Sequence, residues 1–363
     1  MDNFKNKLPG MIKLPPQILT TRLPTWFHFA LTNKCNLSCP FCWRNRKNLK
    51  GNKFEHAPDK TIDQWLDLID DNLDVVHPAG GGEPLLHPRF GEFVQKALKI
   101  QKNNPDKKPE IRIVTNGTLI GRWPVILEAF KTGRIQIIVS IESADPERYK
   151  SFRAGGNLDV VDKNLRDIQN ARKQGQNFQP RTTVAIDSIL SRQNIEDIDG
   201  LIDFALRLEV DRITLKSLQS NSDSPVNFKH EDAVLTSSQI TLMKELKKIE
   251  ESLDVNINFS GFPNIDEDRD KTGQRLPCEE IFRSIRFYPD GNLYTCCPER
   301  TIKSRAGNLS IQTLQEIWNS HKMDEVRRKI LSGQPGSICS GCIHINTIAG
   351  QAPLLRKKYL ANY

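Results

Sequence analysis

The eight cysteines of this 363-residue chain constrain its fold and chemistry more than any other feature. They form two groups separated by more than half of the sequence: Cys35, Cys39 and Cys42, then Cys278, Cys296, Cys297, Cys339 and Cys342. A chain of this length can bury a full core without disulfides, and no apolar signal segment opens it. We therefore interpret the clustered cysteines as metal ligands in a reducing, cytoplasmic compartment.

Between residues 26 and 217, short β-rich runs alternate with amphipathic helical patterns. Six candidate strands lie at residues 26–31, 74–77, 111–115, 135–141, 182–186 and 212–216. Repeated β-α units give parallel strands covered by helices. The count of six favours an α/β fold, a partial (β/α)6 TIM-like barrel, although a doubly wound sheet would show the same alternation.

The sequence pattern changes after this region. Residues 219–235 are polar, and Thr236 and Gln239 then open a helix in capping-box spacing. A hairpin with a turn at residues 289–292 and a helix over 314–330 follow. We predict an N-terminal extension (1–25), the barrel (26–218), a linker with a connecting helix (219–270), a small domain with a β-hairpin and a helix (271–345) and a C-terminal tail (346–363).

The first cysteine group, Cys35, Cys39 and Cys42, follows the first candidate strand in C-x3-C-x2-C spacing. Thiolates are soft ligands suited to zinc or to iron-sulfur clusters. Three thiolates on a four-iron cluster leave one iron open for an exchangeable ligand. The alternatives are a zinc site completed by His28 or His77, or three buried thiols.

Further motifs follow at the ends of the next three candidate strands: Gly81-Gly82-Glu83-Pro84, then Thr115-Asn116-Gly117, then Ser140-Ile141-Glu142. In a parallel β/α fold the carboxyl ends of the strands form one ligand-binding edge, so these motifs and the cysteines should share a site. Glycine at positions 81 and 82 would let the backbone approach a ligand closely, and Glu83 would meet an ammonium group.

Together these motifs resemble the radical S-adenosylmethionine (SAM) superfamily, whose signature has this cysteine spacing and an aromatic residue, here Phe41, before the last cysteine. The resemblance implies that Cys35, Cys39 and Cys42 hold a 4Fe-4S cluster whose open iron binds SAM. It implies SAM contacts from Gly81, Gly82, Glu83, Asn116, Ser140, Glu142 and Phe41. Arg153, a cation at a helix end that faces the expected site, is a further candidate for cofactor binding. Reductive cleavage of SAM would give a 5'-deoxyadenosyl radical that abstracts a substrate hydrogen atom.

The second cysteine group can close a four-ligand site from Cys278, Cys296, Cys339 and Cys342. Spacing alone leaves open a second 4Fe-4S cluster or zinc. Gly291 and Cys296, in G-x4-C spacing, resemble the SPASM auxiliary-cluster extension, and the absence of a cysteine after Cys342 resembles its shortened twitch variant. This resemblance implies an auxiliary 4Fe-4S cluster in residues 271–345.

Cys297 is left over from both sets. On a strand its side chain would point away from that of Cys296. It is our candidate catalytic residue, as a hydrogen-atom donor, and the alternative is a small buried hydrophobe. Among the cations near the expected site, Arg153 and Lys216 are candidates for binding an anionic group.

The auxiliary cluster would have no open iron and would therefore relay an electron. This favours an oxidoreductase that dehydrogenates or epimerises a polar small molecule such as a sugar, an aminocyclitol or a nucleotide. The alternatives are maturation of a peptide or protein by thioether or carbon-carbon crosslinking, and a non-catalytic iron-sulfur protein. Few residues precede Cys35, which favours the small molecule over a peptide.

Charge and hydropathy bear on the partners of the chain. Lys and Arg number 52 against 44 Asp and Glu, a net charge of +8, but the basic residues are scattered among acidic ones as on ordinary solvated helices. No run of about 18 apolar residues occurs. We therefore expect a small-molecule or peptide substrate and an electron donor such as flavodoxin or ferredoxin, and neither a membrane nor a nucleic acid as partner.

Overall fold

The computed structural model describes residues 23–42, 44, 55–100, 109–131, 134–175, 182–218, 235–249, 253–260, 279–295 and 304–332. The chain divides into two compact units. The larger unit comprises residues 25–267 and 287–290, and the smaller one comprises residues 1–24, 268–286 and 291–363. Cys278, Cys296, Cys297, Cys339 and Cys342 lie outside the described residues, so the predictions for them remain predictions.

The larger unit is built on parallel strands that pair in the order of the chain, from β1 to β7. They are β1 (Trp26–Ala30), β2 (Val75–Ala79), β3 (Glu110–Thr115), β4 (Ile135–Ser140), β5 (Thr183–Leu190), β6 (Arg212–Ser217) and β7 (Asn256–Ser260). Among the described residues β7 does not pair with β1, so the sheet stays open. The α/β partial barrel is confirmed, because consecutive pairing is the order of a barrel rather than of a doubly wound sheet.

The strand β7 extends the barrel beyond the six predicted strands. It lies within residues 219–270, which we predicted as a linker with a connecting helix. That helix is present as α7 (Ser237–Ile249), and the predicted capping box forms at its amino end. The Gln239 side chain accepts from the Thr236 N–H at 2.9 Å, and the Thr236 hydroxyl accepts from the Gln239 N–H at 3.3 Å.

Six helices lie between the first six strands: α1 (Asp59–Asp67), α2 (Phe90–Lys99), α3 (Pro124–Lys131), α4 (Pro146–Phe152), α5 (Leu158–Gln174) and α6 (Ile198–Arg207). Crossovers between parallel neighbours are right-handed, so these helices share one face of the sheet. Fully buried Phe29 of β1 lies on that face, its ring centroid 5.6 Å from that of Trp65 in α1 and 5.1 Å from that of Phe93 in α2.

The side chains that alternate with this apolar layer point to the opposite face, which we call the inner face. By alternation and strand register, the polar residues of this face are His28, His77, Glu110, Arg112, Gln136, Ser140, Thr183, Asp187, Arg212, Thr214, Lys216, Asn256 and Asn258, and its apolar residues are Trp26, Ala30, Val75, Ala79, Val114, Ile138, Ala185 and Ile189. Polar residues outnumber apolar ones in this set. The inner face is therefore suited to a polar ligand rather than to a hydrophobic core.

The smaller unit contains short elements: α8 (Glu280–Arg283), β8 (Ser284–Phe287), β9 (Asn292–Tyr294), β10 (Arg305–Asn308), α9 (Leu314–Trp318) and α10 (His321–Leu331). Gly291, in the turn before β9, has a φ of 79°, a conformation that favours glycine. The prediction of one continuous helix over 314–330 is wrong, because the structure has two helices there. The Ser320 hydroxyl accepts from the Met323 N–H at 3.4 Å and starts the second helix.

None of the helices in the described part of the chain combines the length and the apolar character required to span a bilayer.

Candidate active site at the carboxyl ends of the strands

Three cysteines line the loop of residues 31–42, the cysteine loop, which follows β1. Cys39 is buried, and Cys35 and Cys42 are half-buried. The loop folds on itself, because the Leu37 N–H donates to Cys35 Sγ at 3.4 Å and the Cys42 N–H donates to the Cys39 carbonyl at 3.1 Å. The three thiols lie close enough that each of the other two raises the pKa of Cys39.

Burial is the largest influence on these thiols. It raises the pKa of Cys39 to about 11, while the Arg153 guanidinium acts in the opposite direction. Burial also raises the pKa of Cys35, against a hydrogen bond from the Leu37 N–H. Metal binding would displace the thiol protons and supply the positive charge that buried thiolates require.

A single zinc ion would need three thiolates and a fourth ligand around one point. Among the described residues, no three Cys, His, Asp or Glu side chains converge on such a point. His28 and His77, the suggested fourth ligands, instead face each other across β1 and β2 with their Nδ1 atoms 2.9 Å apart. In a four-iron cluster each thiolate binds a different iron, so the ligands need not converge. The cysteine loop therefore fits a cluster better than zinc.

The glycine loop, residues 80–83 after β2, packs directly on the cysteine loop. The Gly82 N–H donates to the Thr32 carbonyl at 3.2 Å, and the Glu83 N–H donates to the Lys34 carbonyl at 2.8 Å. A Cβ on Gly82 would lie 1.9 Å from the Lys34 carbonyl oxygen. We expected Gly81 and Gly82 to allow a ligand to approach, but at Gly82 the absent side chain makes room for the cysteine loop itself.

Glu83 is buried at the centre of the site and is held by three hydrogen bonds. Its Oε1 accepts from the Thr115 hydroxyl at 2.7 Å and from the Leu85 N–H at 3.1 Å, and its Oε2 accepts from the Asn116 N–H at 2.7 Å. Burial raises the pKa of Glu83 to about 7, although these hydrogen bonds lower it. A carboxylate accepts about four hydrogen bonds, and the described residues supply three, so they leave one acceptor position on Oε2 open to a ligand.

Asn116 connects the end of β3 to the cysteine loop. Its Nδ2 donates to Asn36 Oδ1 at 2.9 Å and lies 3.9 Å from Cys35 Sγ. Its Oδ1 accepts from the Thr118 backbone N–H at 3.0 Å and from the Thr118 hydroxyl at 2.6 Å. Because the Asn116 side chain is only 5% exposed, this network fixes its amide beside one thiol.

Glu142 and Arg153, both expected to contact SAM, contact each other. The Arg153 Nε donates to Glu142 Oε2 at 2.5 Å, and Arg153 Nη2 donates to Glu142 Oε1, which makes a bidentate pair. Burial lowers the pKa of Arg153, but the charge of Glu142 and its hydrogen bonds outweigh burial and hold that pKa above the ordinary value. Glu142 therefore neutralises Arg153 rather than facing a ligand alone.

The remaining contacts of Arg153 lead back to the cysteine loop. Its Nη1 lies 3.8 Å from Cys39 Sγ, and its guanidinium carbon lies 5.4 Å from the centroid of the Phe41 ring. The Ser38 N–H also donates to the Ala154 carbonyl at 2.9 Å. Phe41 thus belongs to a stack that packs the loop after α4 on the cysteine loop.

Ser140 lies at the carboxyl end of β4 on the inner face, opposite Asp187 of β5. The structure therefore brings all sites predicted in the larger unit to one edge: Cys35, Cys39, Cys42, Phe41, Gly81, Gly82, Glu83, Asn116, Ser140, Glu142 and Arg153. Asn36 and Thr118 were not among the predicted residues, and Thr115 was named only as part of the Thr115-Asn116-Gly117 motif. Only the position of Thr115, directly before Asn116 at a strand end, signalled its role in the sequence.

Comparison with known families agrees with this geometry. Residues 29–205 match the family model of the radical SAM superfamily, and residues 278–343 match the SPASM model, an iron-sulfur cluster-binding domain. The two matches include every cysteine of the chain. The first contains the cysteine loop and the motifs that follow β2, β3 and β4.

Curated relatives share parts of the chain. A probable GTP 3',8-cyclase of Methanococcus maripaludis is 29% identical over 141 residues, which cover 38% of this chain and 43% of that protein. The chain thus spans less than half of that relative. A tungsten-containing aldehyde ferredoxin oxidoreductase cofactor-modifying protein of Pyrococcus furiosus is 22% identical over 314 residues, 82% of this chain and 81% of that protein.

Solved structures share the fold at low sequence identity. Streptococcus suis SuiB bound to S-adenosylmethionine has a TM-score of 0.63 at 15% identity, over 92% of this chain and 74% of that chain. The protein anSMEcpe with bound AdoMet and a peptide has a TM-score of 0.60 at 16% identity, over 90% and 88% of the two chains. The two matched domains and the site described above place this chain in the radical SAM superfamily with a SPASM-type domain, which implies SAM and two 4Fe-4S clusters as its cofactors.

Proposed function

We propose that this protein is a radical SAM oxidoreductase that removes a hydrogen atom from a polar small molecule and thereby oxidises or epimerises it. The observation that carries this proposal is the meeting of four features at one edge of the sheet. These are the three thiols of the cysteine loop, the buried Glu83, the Asn116 amide and the Glu142–Arg153 pair. Each feature follows a different strand of the first four.

The residues of the site divide between the two cofactors. Cys35, Cys39 and Cys42 would hold the cluster, which with SAM supplies a 5'-deoxyadenosyl radical for hydrogen abstraction. Oε2 of Glu83 would accept a hydrogen bond from the amino group of SAM, because the other acceptor positions of this carboxylate are occupied.

Asn116, Ser140 and the Glu142–Arg153 pair would contact the rest of SAM, and Phe41 would hold Arg153 in place by stacking. The hydrogen bonds within the site hold these groups in position before a ligand arrives, and their burial excludes water from the reacting centre.

The inner face supports a polar substrate. Ser140, Asp187, Thr214 and Asn258 stand in one register row across β4, β5, β6 and β7. The described side chains of this row are half-buried or exposed rather than buried in an apolar core. A molecule with several hydroxyl, amide or charged groups would find hydrogen-bond partners there.

The SPASM-type domain supports an oxidative outcome. In this proposal Cys278, Cys296, Cys339 and Cys342 would hold the auxiliary cluster, which would supply an acceptor for one electron from the substrate. Cys297 would face away from it and is the candidate hydrogen-atom donor for an epimerisation. A flavodoxin or ferredoxin would reduce the first cluster.

A deuterium-transfer experiment tests this function against peptide maturation. Reduced, cluster-loaded protein is mixed with SAM and with extracts of deuterium-grown cells, divided into small-molecule and peptide fractions. We expect deuterium in 5'-deoxyadenosine with the small-molecule fraction. Transfer only from peptides would establish maturation instead, and the absence of any 5'-deoxyadenosine would contradict the enzymatic role.

A further inference from the structure

Lys216 occupies the carboxyl end of β6 on the inner face. Its register partner in β5 is Ile189, and the next inner-face residue of β5 towards the strand's beginning is Asp187. The Lys216 ammonium donates to Asp187 Oδ2. This ion pair lies at the same edge of the sheet as the SAM site, although no motif of the sequence accounts for it.

The solvent exposure of the pair indicates that the Lys216 side chain is accessible to a ligand. The side chain of Lys216 is 43% exposed, whereas that of Asp187 is 15% exposed. An ammonium group has three donors, and among the described residues only Asp187 accepts from it, so two donors are available to a ligand. Asp187 thus fixes the position of a cation that still has hydrogen-bonding capacity.

Two other cations of the site lack this capacity. The Arg153 side chain is only 12% exposed, and its guanidinium contacts Glu142 and Cys39. Arg112, also on the inner face, pairs with Glu110 at 2.8 Å and stacks on the Trp26 ring at 4.9 Å, closer to the amino ends of the strands. Of these three cations, Lys216 is the one best placed to meet a ligand from solution.

The position of Lys216 along the sheet separates it from the carboxylate of SAM. The cysteine loop follows β1, and the strands β2 to β5 lie between β1 and β6. The amino and carboxylate groups of SAM are expected at the cluster, and the rest of the cofactor carries no anionic group. An anion at Lys216 would therefore belong to another molecule.

We propose that Lys216, positioned by Asp187, binds an anionic group of the substrate, a carboxylate or a phosphate. This inference rests on the proposed function and specifies its substrate class. Thr214 and Asn258 would bind the polar remainder of the molecule beside it. The charge of Lys216 would then orient the reacting carbon relative to the radical, and SAM would bind without its help.

The test divides the small molecules that could donate deuterium into anionic and non-anionic pools. The small-molecule fraction of deuterium-grown cells is passed over an anion-exchange resin, and the retained and unretained pools are assayed for deuterium transfer into 5'-deoxyadenosine. We expect transfer from the retained pool only. Phosphatase treatment of that pool distinguishes the sources, because it abolishes transfer from a phosphate ester and leaves transfer from a carboxylate intact.

Variants then assign the effect to the ion pair. Lys216→Met should reduce deuterium transfer about 10- to 100-fold at limiting donor, while Lys216→Arg should retain most of it. Asp187→Ala should raise the donor amount needed for half-maximal transfer more than it lowers the maximal rate. The matched control is Lys173→Met, which removes an exposed lysine paired with Glu209 on the outer surface and should change nothing.

The affinity for SAM and the iron content are measured on the same samples, and both should equal those of the wild type. Transfer from the unretained pool, wild-type transfer by Lys216→Met, or weakened SAM binding in that variant would each overturn the inference and leave the proposed function standing. Failure of the wild type to form 5'-deoxyadenosine would overturn the proposed function and this inference with it.

Discussion

Glu83 Oε2 accepts a 2.7 Å hydrogen bond from the backbone N–H of Asn116, and this contact joins the glycine loop after β2 to the end of β3. The Glu83 N–H in turn donates to the Lys34 carbonyl in the cysteine loop. One buried carboxylate residue therefore connects three loops that come from three strands. The positions of the thiols and of the SAM-binding groups depend on each other through this residue.

Replacement of Glu83 by Gln should weaken SAM binding. In Gln one carboxylate oxygen becomes an NH2 group. If it replaces Oε2, the Asn116 N–H and the amino group of SAM both lose their acceptor, and if it replaces Oε1, the Leu85 N–H loses its acceptor and SAM still loses the negative charge that meets its ammonium group. A lost hydrogen bond to a buried charged group costs about 1–3 kcal/mol, which corresponds to a dissociation constant roughly 5- to 150-fold higher. Binding is measured on cluster-loaded protein, with Glu128→Gln on the exposed face of α3 as control. Equal affinity in both variants would contradict the role of Glu83.

Gly82→Ala should separate the glycine loop from the cysteine loop. The new Cβ would lie 1.9 Å from the Lys34 carbonyl oxygen, so the backbone must move. We expect lower stability by about 1–3 kcal/mol and reduced iron content after reconstitution. Gly200→Ala in α6 is the control, because its nearest described neighbour is 4.0 Å away, and alanine there should be neutral or stabilising. Wild-type iron content in Gly82→Ala would show that the loops need not touch.

The Glu142–Arg153 pair should behave as one unit. Glu142 is fully buried and the Arg153 side chain is only 12% exposed, so removal of one partner leaves a largely buried, uncompensated charge that costs about 3–5 kcal/mol. We expect Glu142→Gln and Arg153→Met each to lower the urea midpoint strongly, and the double variant to lower it by less than the sum. The exposed pair Lys163–Asp167 gives the reference, since its loss should cost less than about 1 kcal/mol. Additive effects at residues 142 and 153 would contradict the coupling.

The second cysteine set should be separable from the first by its effect on the product. A folded Cys339→Ala, Cys342→Ala variant should still form 5'-deoxyadenosine but convert little substrate. Iron should fall from about eight to about four atoms per chain, because each four-iron cluster is held separately. Circular dichroism must first show that the variant folds, since a bound metal contributes on the order of 10 kcal/mol to such sites. Wild-type turnover by the variant would make the second site structural.

Hydrophobic alternation was sufficient to predict the six strands β1 to β6. The strand β7 was missed although Val255, Ile257 and Phe259 alternate there. The asparagines between them have low strand propensity, and the run is only five residues long. The division of the helix predicted over 314–330 depends on a single hydrogen bond from the backbone to Ser320, which no periodicity reveals.

For the candidate site, too, the sequence predicted the positions of the residues but not their contacts. The cysteine spacing and the strand-end motifs placed the right residues at one edge, because the carboxyl ends of parallel strands meet there. Sequence could not show that Arg153 pairs with Glu142, since both are plausible ligand contacts until the packing of α4 brings them together. Nor could it show that the space left by Gly82 is filled by the backbone of the cysteine loop.

The central claim is that Cys35, Cys39 and Cys42 hold the cluster that cleaves SAM. Its most direct test is the amount of 5'-deoxyadenosine formed by reduced, reconstituted wild type and by the three single Ala variants, with Cys297→Ala as the matched control. We predict product from the wild type and from the control, and none above background from the three variants. Wild-type formation of 5'-deoxyadenosine by any one of those three would contradict the account.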